Sequence, residues 1–206
     1  MKVLLINGSP HEKGCTYTAL SLIAGELKAQ GIETEILHVG GQPVGGCIGC
    51  GGCRSGNGCV FGGVVNEAIE KAKTADAFVF GSPVHYASAA GNMASFMDRL
   101  AYAGGKYLAY KPAAVCCSAR RAGTTSTLDQ LVKYPQFFHM PLVNGSYWAM
   151  VHGSNPEQVL QDAEGCAVMQ ELGRNMAWSL RRIEAGKAAG IDHPQNPPRP
   201  MTSFIR

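Results

Sequence analysis

KVLLINGSPHEKGCTYTAL, residues 2–20, decides the fold. It opens on an apolar run closed by Gly8-Ser9-Pro10, the pattern of a strand buried on both faces. From Thr16 to Gln30 apolar residues recur at Leu20, Ile23, Ala24 and Leu27, the period of a helix with one buried face. The alternation continues outward from this unit. Strands are predicted over 33–39, 76–84, 111–119 and a short fifth stretch at 140–146, and helices over 64–75, 91–103, 124–134 and from Pro156 to about Ala189. Strands and helices alternating in this way predict an α/β sandwich of three layers, a parallel sheet covered on both faces. The predicted domain spans 1–190, and the Pro-rich remainder, 191–206, is expected to lie extended on its surface.

A chain of 206 residues suits one domain, since a globule of this size buries roughly 70% of the surface its unfolded chain exposes. With 46% hydrophobic and 16% charged residues it has the apolar content of an ordered globule. The formal charge of +3 is dispersed, without a basic block or basic helix face, which argues against nucleic acid and a membrane surface as partners. The five apolar residues before Asn7 are too few for a signal-peptide core, so a cytoplasmic location is expected, with the eight cysteines as reduced thiols or ligands.

In open α/β sheets ligands bind beyond the carboxyl ends of the strands. The loop after the first strand, NGSPHEKGCTYTAL, brings small residues and the hydroxyls of Ser9, Thr16 and Thr18 to the start of a helix, whose dipole favours an anion. That reads as a phosphate cradle, or as an ordinary capped turn. It is not a Walker A loop, because after four intervening residues Gly8 is followed by Lys13 where that motif needs Gly. No G-x-G-x-x-G follows any predicted strand.

INGSPHEKGCTYTAL, GSPVHYASAAGNMASFMDRL and SARRAGTT, after the first, third and fourth strands, together resemble the flavodoxin-like NAD(P)H-dependent FMN reductase family. The resemblance implies a five-stranded parallel sheet in the order 2-1-3-4-5 with FMN across its carboxyl end and NAD(P)H as electron donor. Carried over by position, it implies that Ser9, His11, Gly14, Cys15 and Thr16 hold the FMN phosphate. Pro83, Val84, His85 and Tyr86 would wall the isoalloxazine, and Ser118, Ala119, Arg120, Arg121, Gly123 and Thr124 would meet its pyrimidine edge. No side chain need act as acid or base, because the flavin N5 carries the chemistry. Two positions depart from the family pattern: His85 stands where Tyr is common, with Tyr86 one place later, and His11 stands where Arg is frequent. Read alone, His85 also suits a loop histidine, Arg120-Arg121 a solvated tip, and Cys116, Cys117 and Cys166 packing.

Between Gly40 and Gly63 no helix or strand pattern occurs, eleven glycines do, and the connection far exceeds a usual β-to-α loop. Within it the spacing Cys47-x2-Cys50-x2-Cys53-x5-Cys59 lets three thiolates wrap one corner of a cubane and a fourth close it, with metal binding supplying the ordering free energy. Zinc, disulfides formed on air exposure and a metal-free loop are the alternatives. The spacing also resembles that of the iron-sulfur flavoproteins, a branch of the same superfamily. This implies a 4Fe-4S cluster exchanging electrons with FMN in a homodimer or homotetramer, where one subunit's cluster nears another's flavin. Three functions follow as expectations: an FMN-dependent oxidoreductase reduced by NAD(P)H, an electron carrier between ferredoxin and an acceptor, or a quinone or nitro-group reductase.

Overall fold

Val3, Leu5 and Ile6 are fully buried and Leu4 is 1% exposed in the computed structural model, which describes residues 1–202 and 204. They form β1 (Lys2–Asn7), and because side chains alternate across a strand, the run feeds two cores. Val3 and Leu5 pack with α1 (Cys15–Ala29) through Leu20, Ile23 and Leu27, while Leu4 and Ile6 pack with Phe78 and Phe80 on the other face. β2 (Glu33–His38) and β3 (Ala77–His85) flank β1, both parallel to it, with Leu5 opposite Ile36 and Val79. α2 (Val64–Thr74) connects them and places Val65 and Ile69 in the second core.

Beyond β3, β4 (Ser88–Ala89) pairs back antiparallel onto it, α3 (Gly91–Gly104) follows, and β5 (Ala113–Ala119) extends the parallel sheet. α4 (Thr124–Phe137) leads to β6 (Met150–His152), then to α5 (Pro156–Val159) and α6 (Ala163–Ala188). The order β2-β1-β3-β5-β6 is the predicted 2-1-3-4-5 arrangement of five parallel strands, with β4 as an added hairpin strand. α1 and α6 cover one face, and α2, α3 and α4 the other. This is a flavodoxin-like three-layer fold.

Two expectations are corrected. The last parallel strand is not at 140–146 but at Met150–His152, opposite Cys117–Ala119. Residues 141–143 make only a single bridge, Leu142 to Ala113, because Pro141 has no N–H to donate and the chain bends away at Ser146-Tyr147. The expected continuous helix from Pro156 is two helices. Asn155 Oδ1 caps the first by accepting from Gln158 N at 2.9 Å, and Asp162 Oδ1 caps the second by accepting from Gly165 N at 2.9 Å.

The described residues after α6 form no helix or strand and run exposed across the opposite end of the sheet. There His193 stacks on Tyr110 at 4.4 Å, and Asn196 Nδ2 donates to the Tyr110 hydroxyl at 2.6 Å. Ser203, Ile205 and Arg206, the end of the expected tail, lie outside the described residues. Among the described residues no helix is long and apolar enough to cross a membrane.

Candidate functional site

The carboxyl ends of β1, β3 and β5 deliver three loops to one edge of the molecule. The first is built by Asn7, fully buried at the end of β1. Its Oδ1 accepts from Ser9 N at 3.1 Å and its Nδ2 donates to Glu12 O at 2.9 Å, so one side chain folds the loop over itself. Ser9 Oγ accepts from His11 N at 3.1 Å, and His38, ending β2, donates from Nε2 to Ser9 O at 2.8 Å. Gly40 completes this packing, since a Cβ there would stand 2.1 Å from Ser9 O.

α1 begins immediately after this loop with Gly14 as N-cap and no side-chain cap. Its first-turn N–H groups, from Cys15 to Tyr17, therefore have no intrahelical acceptor and present partial positive charge, the donor arrangement a phosphate requires. The candidate side chains divide. Ser9 faces its own loop. The Thr16 and Ser118 hydroxyls share a hydrogen bond of 2.8 Å, both buried, which ties the first loop to β5 and leaves Thr16 its backbone N–H for an anion. Thr18 Oγ1 donates back to Gly14 O. Cys15 Sγ lies 3.5 Å from Gly153 O and packs against the core, and burial pushes its thiol pKa up.

The second loop is a hairpin that the sequence pattern did not announce. His85 pairs with Ser88 across a two-residue turn, Tyr86-Ala87, in which both residues have positive φ (49° and 59°). Such a turn matches the twist of the strands but is normally made by Asn and Gly, so two L side chains there store strain. It leaves Tyr86 fully exposed at the tip. Gln130 of α4 pins the hairpin, its Oε1 accepting from Ser88 Oγ at 2.6 Å and Ala89 N at 2.9 Å. Ser126 Oγ adds a hydrogen bond to Ala87 O at 2.7 Å. Ser82 Oγ, accepting from Ala90 N at 3.0 Å, closes the stem.

The third loop follows β5. Ala119 is buried, Arg120 and Arg121 are exposed, and Gly123 (φ 93°) caps α4 against the hairpin, with the position of its absent Cβ only 2.7 Å from Ala87 Cα. The structure thus brings the three candidate loops together, through Thr16 and Ser118 on one side and Gly123 and Ala87 on the other. Asn7, His38, Ser82, Ser126 and Gln130 were not among the expected residues. Of these only Asn7, a polar residue ending an apolar strand before Gly-Ser-Pro, has a local signature.

Cys116 and Cys117 lie inside the sheet, and burial raises both thiols, Cys117 to about 12, as inert packing residues require. His152 Nδ1 sits 3.4 Å from Asp162 Oδ2 at the end of β6. A cleft of about 470 Å³ lies away from the three loops, between α4, β5 and residues 143–149, lined by Leu128, Val132 and Trp148 among others.

The cysteine loop leaves β2 beside the first of these loops and runs along α3. Asn92, at the start of α3, donates from Nδ2 to Gly40 O and Gln42 O and accepts from Val44 N, fixing the entry. Asn66 of α2 exchanges two hydrogen bonds with Cys59, fixing the exit. Between them lies a single 3-10 turn, Gly52–Ser55, bounded by left-handed Gly51 and Gly56. Cys47 and Cys50 are exposed, Cys53 and Cys59 half-buried, and all four thiols are free. The structure does not gather them: among the described residues no three His, Cys, Asp or Glu side chains form a metal-binding group. Thiolates repel one another and are drawn together by the ion they bind, so a glycine-rich loop lets them stand apart. The donor set, four soft thiols on one loop against a buried cation, fits a thiolate-ligated cluster in kind, and in this structure it is not assembled.

Over residues 1–155 the chain matches the family described as NADPH-dependent FMN reductase. It is 28% identical over 192 residues to an iron-sulfur flavoprotein of Methanocaldococcus jannaschii, covering 89% of this chain and all of that one. It is 36% identical over 99 residues to an iron-sulfur flavoprotein of Archaeoglobus fulgidus, 48% of each chain. Among solved structures, an NADH:FMN oxidoreductase superposes with a TM-score of 0.64 at 18% identity, covering 86% of this chain and 89% of that one, a likeness of fold. With three post-strand loops gathered at the carboxyl edge of a flavodoxin-like sheet and a family match across three quarters of its length, the chain belongs to the NADPH-dependent FMN reductase family of oxidoreductases.

Proposed function

We propose that the chain is an FMN-dependent oxidoreductase reduced by a pyridine nucleotide, with a cluster-binding loop that passes electrons onward. The observation that carries it is the convergence of an uncapped helix N-terminus, a strained hairpin and a Gly123-capped loop at one sheet edge, joined by Thr16–Ser118 and Gly123–Ala87. Ser9, His11, Gly14, Cys15 and Thr16 hold the phosphate, chiefly by backbone N–H groups of the loop and the first turn of α1. Pro83, Val84, His85 and Tyr86 wall the ring, and Ser118, Ala119, Arg120, Arg121, Gly123 and Thr124 border its pyrimidine edge, where a guanidinium favours negative charge. When bound, FMN supplies hydride acceptance and single-electron release, and a 4Fe-4S cluster supplies one-electron transfer. Cys47, Cys50, Cys53 and Cys59 are the ligands of that cluster.

A second reading, favoured by the four cysteines, is an electron carrier between ferredoxin and an acceptor. A quinone or nitro-group reductase would differ only in the second substrate. The protein is placed in the cytoplasm as a homodimer or homotetramer on the same reading. The test is anaerobic reconstitution with FMN, iron and sulfide, followed by titration with NADPH. Loss of the yellow flavin absorption with NADPH alone supports the oxidoreductase, and bleaching only with reduced ferredoxin supports the carrier. Failure to take up FMN would end both readings.

A further inference from the structure

Arg99, on α3, is the one charged side chain among the buried residues described, 6% exposed, and it has no carboxylate partner among them. Its guanidinium is turned wholly to the cysteine loop. Nη1 donates to Gly45 O at 3.4 Å, before the first cysteine, and Nη2 to Gly62 O at 3.1 Å, after the last. Nε donates to Cys59 Sγ at 3.2 Å, and the ring of Phe61 lies 5.4 Å from the guanidinium carbon. One side chain therefore closes the cysteine segment at its base. A guanidinium keeps its charge in any protein environment, and a buried charge held only by neutral acceptors is costly. Carbonyls and the face of the Phe61 ring offset part of that cost, and three hydrogen bonds leave two of its five N–H groups available to an anion.

We propose that Arg99 is the positioning residue of the cysteine loop and the counter-charge of the anionic, thiolate-ligated cluster held there. The proposal rests on the reading of Cys47, Cys50, Cys53 and Cys59 as cluster ligands. The two functions separate chemically. The planar fork sets the two loop ends and Cys59, which Lys cannot reproduce, whereas the positive charge stabilises the more negative, reduced cluster, which Lys can.

The test is anaerobic reconstitution of the full chain as wild type, Arg99→Lys and Arg99→Gln. Iron and sulfide content, FMN content and the cluster midpoint potential are measured. Wild type is expected to take up iron and sulfide. Arg99→Gln should hold at most half as much, with a potential lowered so that the reduced-to-oxidised ratio at a fixed poise falls about tenfold, ~59 mV for one electron. Arg99→Lys should load less than wild type yet keep the potential. Equal loading and an unshifted potential in Arg99→Gln would overturn the role of Arg99 and leave the cluster reading standing. Wild-type protein that binds FMN but no iron would overturn both. If Arg99→Gln does not fold, as judged by FMN content and circular dichroism, Arg99→Lys decides alone: wild-type loading overturns the fork and a tenfold shift overturns the charge.

Discussion

Gly123 stands at φ 93°, and a Cβ there would meet Ala87 Cα at 2.7 Å and Val84 Cγ1 at 2.9 Å. Gly123→Ala combines left-handed strain with overpacking and is expected to cost about 2–4 kcal/mol, read as a lower urea midpoint, with FMN affinity falling alongside. An unchanged midpoint would mean the two loops do not bear on each other. Tyr86, fully exposed at the hairpin tip, has a simpler role. Tyr86→Ala should weaken FMN binding about tenfold, the loss of one stacked ring, without moving the stability of the flavin-free protein, as fluorescence titration and urea unfolding would show. Cys50 is exposed and its thiol is free. Cys50→Ser should abolish iron uptake and leave FMN binding intact, and iron retained in that variant would refute the ligand assignment. At this scale the sequence showed residue types but not their partners. Ser118 and Thr16 were both candidates from the sequence, yet that each uses its hydroxyl on the other follows only from their positions on adjacent elements.

At the scale of elements, the β3–β4 hairpin uses Tyr86-Ala87 where Asn-Gly would be relaxed. Ala87→Gly removes a left-handed penalty of ~1–2 kcal/mol and adds unfolded-state entropy worth ~0.5–1 kcal/mol, so a net stabilisation of about 0.5–1 kcal/mol is expected in denaturant unfolding. The edge strand β2 supplies a pH-dependent contact. Glu35 bridges Lys2 of β1 at 2.8 Å and Lys71 of α2 at 2.6 Å, and hydrogen bonds from these two lysines hold its carboxyl below the ordinary 4.5. A depressed carboxylate contributes stability that is present above pH 4.5 and is lost as pH falls through its folded value. Glu35→Gln should therefore lower the melting temperature modestly near neutrality, where the carboxylate contributes in full, converge on wild type at acid pH, and so flatten the fall on the acid side of pH 4.5. An unaltered acid slope would show that the network is screened by solvent. The elements themselves were largely legible, because apolar periodicity is local. The misplaced last strand shows the limit: 140–146 and 150–152 both carry apolar residues, and which pairs fully with β5 depends on the donor missing at Pro141 and on the bend at Ser146-Tyr147.

For the whole molecule, the uneven distribution of burial predicts uneven opening. Amides of β1 and β3, inside two packed faces, should exchange hydrogen only on global unfolding. The cysteine segment, held at its ends by Asn92, Asn66 and Arg99 and otherwise exposed, should exchange orders of magnitude faster in flavin-free, metal-free protein. Uniform protection across both regions would contradict this division. What the sequence by itself determined was the layered α/β fold, the strand order through the family resemblance, and which loops gather at one edge. Runs buried on both faces, helical periods and post-strand loops are written in short stretches of chain. Only the tertiary structure decided the contacts between elements: Arg99 against Cys59, forty residues apart, and Thr16 against Ser118, one hundred and two apart. Such contacts depend on how elements cross and how deeply each side chain is buried, and no local pattern encodes either quantity.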